Sequence, residues 1–158
     1  MTAWQSGGLV LGYFAYAVAW VRGGPPERLG AGVLLLACLV ANHANGWEVG
    51  DLYPGFIIMD SAIFLVFGWL NFRSDRWWTA VAAGAAGLIV LGHVIRLLDR
   101  SFAHGAMVSA KIGLAYVVDL ALLAGVGERW LAGEQPAGRA AWAAANRMTA
   151  ARRGAPAP

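Results

Sequence analysis

Four ionisable side chains, His43, Asp60, His93 and Lys111, fall inside long apolar runs of the chain, with Asn42, Asn45 and Arg96 beside them. A charged group at mid-membrane costs several kcal/mol, about 2.5–3.5 for Asp, Lys or Arg on insertion scales, so such residues persist where they are paired, wetted or used. Lys111 stands out further as the one lysine in a chain whose other basic residues are arginines. Counted inward from the ends of their runs at ~1.5 Å per residue, His43, His93, Asp60 and Lys111 sit about 6, 8, 10 and 12 Å below one boundary. They form a single layer contributed by four different runs, and Asp60 and Lys111 are expected to pair. That pair would act as a static tie between two helices, as a proton or ion path, or as the floor of a wet vestibule.

His43 and His93 carry two further expectations. The first is structural hydrogen bonding, and the second is axial ligation of a haem between helices. No His-x-x-x-His or Glu-x-x-His spacing supports a metal site, so none is expected. Asp119 lies about 10 Å from the opposite end of its run at helical rise. No base shares its depth, and Tyr16 and Tyr116 are the available donors, which makes it a candidate proton-relay residue. No enzyme is expected. Ser109 and Lys111 point about 200° apart on a helix, and no Gly-x-Ser-x-Gly is present.

Positioning these groups falls to the apolar runs. About 20 residues at ~1.5 Å rise cross a ~30 Å hydrocarbon core, and five stretches qualify: 4–21, 29–47, 53–72, 77–98 and 103–126. Gly23-Gly24-Pro25-Pro26-Glu27-Arg28 reads as a turn from its Gly and Pro content. Residues 48–54, Arg73-Ser74-Asp75-Arg76 and Asp99-Arg100-Ser101 supply the other polar breaks. The expected fold is all-α, a polytopic membrane bundle of about five transmembrane helices over 1–127. A basic, Ala-rich cytoplasmic tail over 128–158 is expected either to lie on the membrane as an interfacial helix or to stay exposed and partly frayed, and to be disordered at its end. The first run lacks a basic n-region and is read as a retained helix rather than a signal peptide.

Arginine placement sets the expected orientation. With the N-terminus outside, Arg22, Arg28, Arg73, Arg76, Arg129, Arg139, Arg147, Arg152 and Arg153 all face the cytoplasm, as the positive-inside rule requires. Trp20, Trp69, Trp77, Trp78 and Trp130 then fall at the inner interface, where indoles favour the headgroups. Small residues mark expected helix contacts: Gly8 with Gly12 in the first run, and Ala80 with Gly84 and Ala83 with Gly87 in the fourth.

Composition excludes the competing classes. Of 158 residues, 59% are hydrophobic and 13% charged, against roughly 45–50% and 25% in soluble domains. The single cysteine, Cys38, rules out a disulfide framework. A net charge of +3 with dispersed arginines gives nucleic acid no patch to bind. The expected function is a small channel, pore or transporter component of the inner (cytoplasmic) membrane of a bacterium, a homo-oligomer passing protons or cations through the buried polar layer. A holin-like pore is a sub-reading by analogy of size and composition alone. The alternatives are a non-catalytic accessory subunit of a larger membrane complex and a haem-binding membrane protein.

Overall fold

A computed structural model describes residues 3–44, 53–99 and 104–134. Among them lie five α-helices: α1 (Ala3–Arg22), α2 (Pro25–Ala44), α3 (Pro54–Arg73), α4 (Trp77–Leu98) and α5 (His104–Leu131). The expected tail helix and the loops holding Trp47 and Arg100 fall outside the described residues.

Two boundaries differ from the sequence expectation. Pro25 through Arg28 is not a turn but the first turn of α2, so that helix begins earlier than residue 29. Proline is accepted there because the first helical N–H groups have no intrahelical partner to lose. Gly23 and Gly24 alone make the connection. A Cβ on Gly23 would run into the Ala19 carbonyl and the Glu27 side chain, so the tight turn needs glycine. At the other end of the chain, α5 continues past 126 to Leu131. It stops at Gly133, whose φ of +69° is the left-handed conformation that glycine adopts at low cost. Gly133 N donates to Trp130 O at 3.1 Å and Glu134 N to Arg129 O at 3.0 Å, the paired bonds of a Schellman ending.

Each helix packs on its chain neighbours, and α5 closes the ring against α1 while also touching α2. The centre is filled by Phe67, Trp78 and Leu122, all fully buried, among the small side chains of Ala15, Ala19, Ala31 and Ala82. Phe67 and Trp78 meet edge to face, ring centroids 6.1 Å apart. Trp78 is cradled by glycines. A Cβ on Gly30 would come within 3.1 Å of its ring, and one on Gly125 would overlap it. Trp78 is therefore a core residue and not an interfacial one, contrary to the sequence expectation. Its neighbour Trp77, with Trp20, Trp69 and Trp130, is exposed.

The small-residue pairs divide in the same way. Gly8 and Gly12 face α5, with Tyr116 against Gly8 and Asp119 against Gly12. Gly87 meets the Phe64 ring, and Ala83 is half-buried beside it in sequence register. Ala80 and Gly84 point outward, and a Cβ on Gly84 would meet nothing. Within this chain they are not a seam; Ala82, Ala85 and Ala86, on the opposite side of α4, are.

The exterior is apolar. Val10, Phe14, Leu36, Leu65, Phe72 and Leu98 are all exposed, and a groove of about 510 Å³ between α2 and α3 is lined by Val33, Leu36, Ile58, Met59 and Ala62 among others. Among the described residues, three helices, α3, α4 and α5 from Gly105 onward, are long and apolar enough to cross a membrane. Such helices and such an exterior are compatible with a membrane protein.

The packing separates the glycines experimentally. Gly125→Ala forces Trp78 to shift and is expected to destabilise the detergent-solubilised protein by about 1–3 kcal/mol. Gly84→Ala should stay within about 0.5 kcal/mol of the parent in the same denaturant titration.

Candidate functional site

Asp60 lies on α3 two turns in from its start, and its carboxylate is buried. Its face continues through Phe64 and Phe67 to Asn71, following the i+4, i+7 and i+11 spacing of a helix. Lys111 on α5 places Nζ 2.5 Å from Asp60 Oδ2. His93 on α4 brings Nε2 to 2.7 Å from the same oxygen. Three helices thus converge on one carboxylate oxygen. The Lys111 ammonium also stands 4.6 Å from the centre of the Phe56 ring, one turn before Asp60, where the negative face of the ring adds to its stabilisation. The site is graded in exposure: the side chains of Asp60 and His93 are 7% and 11% exposed and that of Lys111 is 30%. Arg96 follows His93 by three residues on α4 and is half-buried.

The other residues picked out by the sequence do not join this cluster. His43 and Asn42 belong to α2, but their side chains lie outside the described residues. His93 Nε2, one half of the expected haem pair, is engaged by Asp60. Asp119 forms a separate buried site between α5 and α1. The Tyr16 hydroxyl donates to its carboxylate, and both groups sit just over 3 Å from where a Gly12 Cβ would be. Tyr16 is in turn 4.0 Å from the Cys38 thiol of α2. Tyr116, the other expected donor, lies against Gly7 and Gly8 instead.

The sequence reading passed over Glu27. Assigned to a turn, it is fully buried at the end of the bundle where α1 meets α2. Oε2 accepts the Gly24 backbone N–H at 2.8 Å, which is the reach of a residue at the third helical position back to its N-cap. Oε1 accepts Trp78 Nε1–H at 3.2 Å, and Arg129 Nη1 stands 3.9 Å from Oε2. One carboxylate therefore ties α2 to α4 and α5. The Gly-Pro-Pro-Glu order was a usable signal, since proline at the first helical position and glutamate at the third together mark a helix start.

Around Glu27 the charges continue outward. Arg129 reaches Glu134 at 3.1 Å, and Arg76, between α3 and α4, pairs with Glu134 and lies 3.8 Å from Glu128. The Arg76 hydrogen bond holds the Glu134 carboxyl below the ordinary glutamate range, with the charge of Arg129 acting in the same direction.

Among the described residues, no group of three or more His, Cys, Asp or Glu side chains is placed to hold a metal ion. Comparison with family models, with curated proteins and with solved structures finds no match to this chain. The chemistry of the sites is therefore the basis for assigning a function.

Two outcomes follow. Glu27→Ala leaves the buried Trp78 N–H and the Gly24 N–H without their acceptor and removes the weaker of two carboxylates near Arg129, and it should cost about 1–3 kcal/mol in a stability titration, as an unsatisfied buried donor does. Glu134 behaves as a depressed carboxylate: its contribution is present above the ordinary glutamate range and is lost as pH falls through its lowered value. Amide exchange at residues 131–134 should accordingly speed up on acidification relative to the helix interior, and an Arg76→Gln variant should show the same fast exchange already at neutral pH.

Proposed function

We propose that the protein is a small membrane transport component that passes protons or monovalent cations by way of the Asp60 site. The observation that carries this is the convergence of Asp60, His93 and Lys111 on one buried oxygen with a partly open face. A static tie between helices needs one cation; here a carboxylate is shared by an imidazole and an amine whose side chain is partly exposed. Asp119 with Tyr16 supplies a second polar station about two turns further along α5. Because Phe67, Trp78 and Leu122 fill the centre, passage within one chain is by side-chain relay and not through an open water column.

In this reading all five helices span the inner membrane, with the N-terminus outside and Arg22, Arg28, Arg73, Arg76 and Arg129 at the cytoplasmic end. The exposed apolar residues of α1 and α2, such as Val10, Phe14, Leu36 and Leu39, support lipid contact for those two helices as well. One observation favours a partner in the membrane. Ala80 and Gly84 give α4 an outward surface on which another helix could approach closely, from a second copy or from a larger complex.

Reconstitution in liposomes tests the proposal. The wild type should dissipate an imposed pH or salt gradient, and Asp60→Asn should slow it by about tenfold or more, the factor that ~1.4 kcal/mol represents. Asp119→Asn should also slow it, by a smaller factor. A protein that shows no flux, or flux untouched by both substitutions, is an accessory subunit instead.

A further inference from the structure

We propose that the Asp60 cluster is a cation cage with a built-in occupant: Asp60, Phe56 and His93 form a binding site for a small organic ammonium ion, and the Lys111 side chain fills it in the state seen here. The proposal rests on the transport reading for its use, in which the bound ammonium acts on the Asp60 relay and does not itself cross the bundle, but the site itself can be tested alone.

The geometry supports it in three ways. First, an anionic oxygen beside an aromatic face is the combination that recognises ammonium ions. Lys111 Nζ occupies that position, 2.5 Å from Asp60 Oδ2 and 4.6 Å from the Phe56 ring centre. Second, both donors use the same oxygen. If Lys111 leaves, the carboxylate keeps its bond to His93 Nε2 at 2.7 Å and is not stranded. Third, exposure runs the right way. The carboxylate and imidazole form the buried floor, while the Lys111 side chain, on a flexible four-carbon stem, is the most exposed of the three. Phe56 lies in the first turn of α3, so the aromatic wall of the cage stands at the start of that helix.

An incoming ammonium therefore competes with a tethered amine. Tethering by a short flexible arm gives an effective concentration on the order of millimolar, so the site responds above a threshold of external cation. Displacement turns the Lys111 amine outward and makes it reactive.

Lys111 is the only lysine of the chain, which makes its acylation a single-site reporter. The full chain in mild detergent is treated with an acylating reagent in trimethylammonium chloride or in sodium chloride of equal ionic strength. The peptide holding Lys111 is then quantified by mass spectrometry. Trimethylammonium carries an N–H for Asp60 and, as a tertiary amine, leaves no stable acyl product. Labelling should be slow in sodium and should rise several-fold, saturably, with trimethylammonium. Asp60→Asn should label rapidly in both salts. Phe56→Leu should label faster than the wild type in sodium, but less than Asp60→Asn, and lose most of the acceleration. Equal labelling of the wild type in the two salts overturns the cage, and that comparison requires no variant to fold. Saturable acceleration without gradient dissipation in liposomes keeps the cage and rejects transport; dissipation without acceleration does the reverse.

Discussion

Hydrocarbon offers no hydrogen bonds, so a carboxylate buried among lipid-facing helices must find its partners within the chain. Three acids of this protein meet that demand in three ways. Asp60 takes an imidazole and an ammonium from two other helices. Glu27 takes a backbone N–H, an indole N–H and a more distant guanidinium. Asp119 has the hydroxyl of Tyr16, and no Lys, Arg or His of the described residues forms an ion pair with it. In each case at least one partner comes from another helix, so satisfying the acid also fixes how those helices stand together.

The apolar packing is arranged around the same requirement. Trp78 can place its N–H on Glu27 only by sinking its ring into the middle of the bundle, and Gly30 and Gly125 make the room. Gly12 leaves space for Asp119 and Tyr16 in the same manner. Lipid tails are as apolar as the core, so helices in a membrane gain little by excluding them and associate through close contact and shared polar groups. That explains why the seams here are built of alanine and glycine, with large residues in a few central places and on the outside.

Much of this was legible in the sequence, and the limits are instructive. Run length and composition give an all-helical membrane chain, and helical rise alone puts Asp60, His93 and Lys111 in one layer. What rise cannot give is rotation about the helix axis. Depth did not say that His93 faces Asp60, nor that Ala80 and Gly84 face away from the bundle while Ala82 and Ala85 face in. Trp78 was misplaced for a related reason: tryptophan at the end of a run is commonly interfacial, and only its position one residue on from Trp77 turns it inward. Glu27 was hidden by its neighbours. Two glycines and two prolines read as a turn, yet prolines at the first helical positions begin a helix as readily as they end one, and the glutamate that follows is then carried into the core.

The Asp60 cluster is the element on which the functional interpretation stands, and a double-mutant cycle measures it most directly. Unfolding free energies in detergent would be compared for the wild type, Asp60→Asn, Lys111→Met and the double variant. A coupling of about 1 kcal/mol or more between the two positions is expected for contacting groups of a buried network. Additive effects, with a coupling no greater than about 0.3 kcal/mol, would show that the ammonium and the carboxylate do not meet, and the cluster would have to be abandoned.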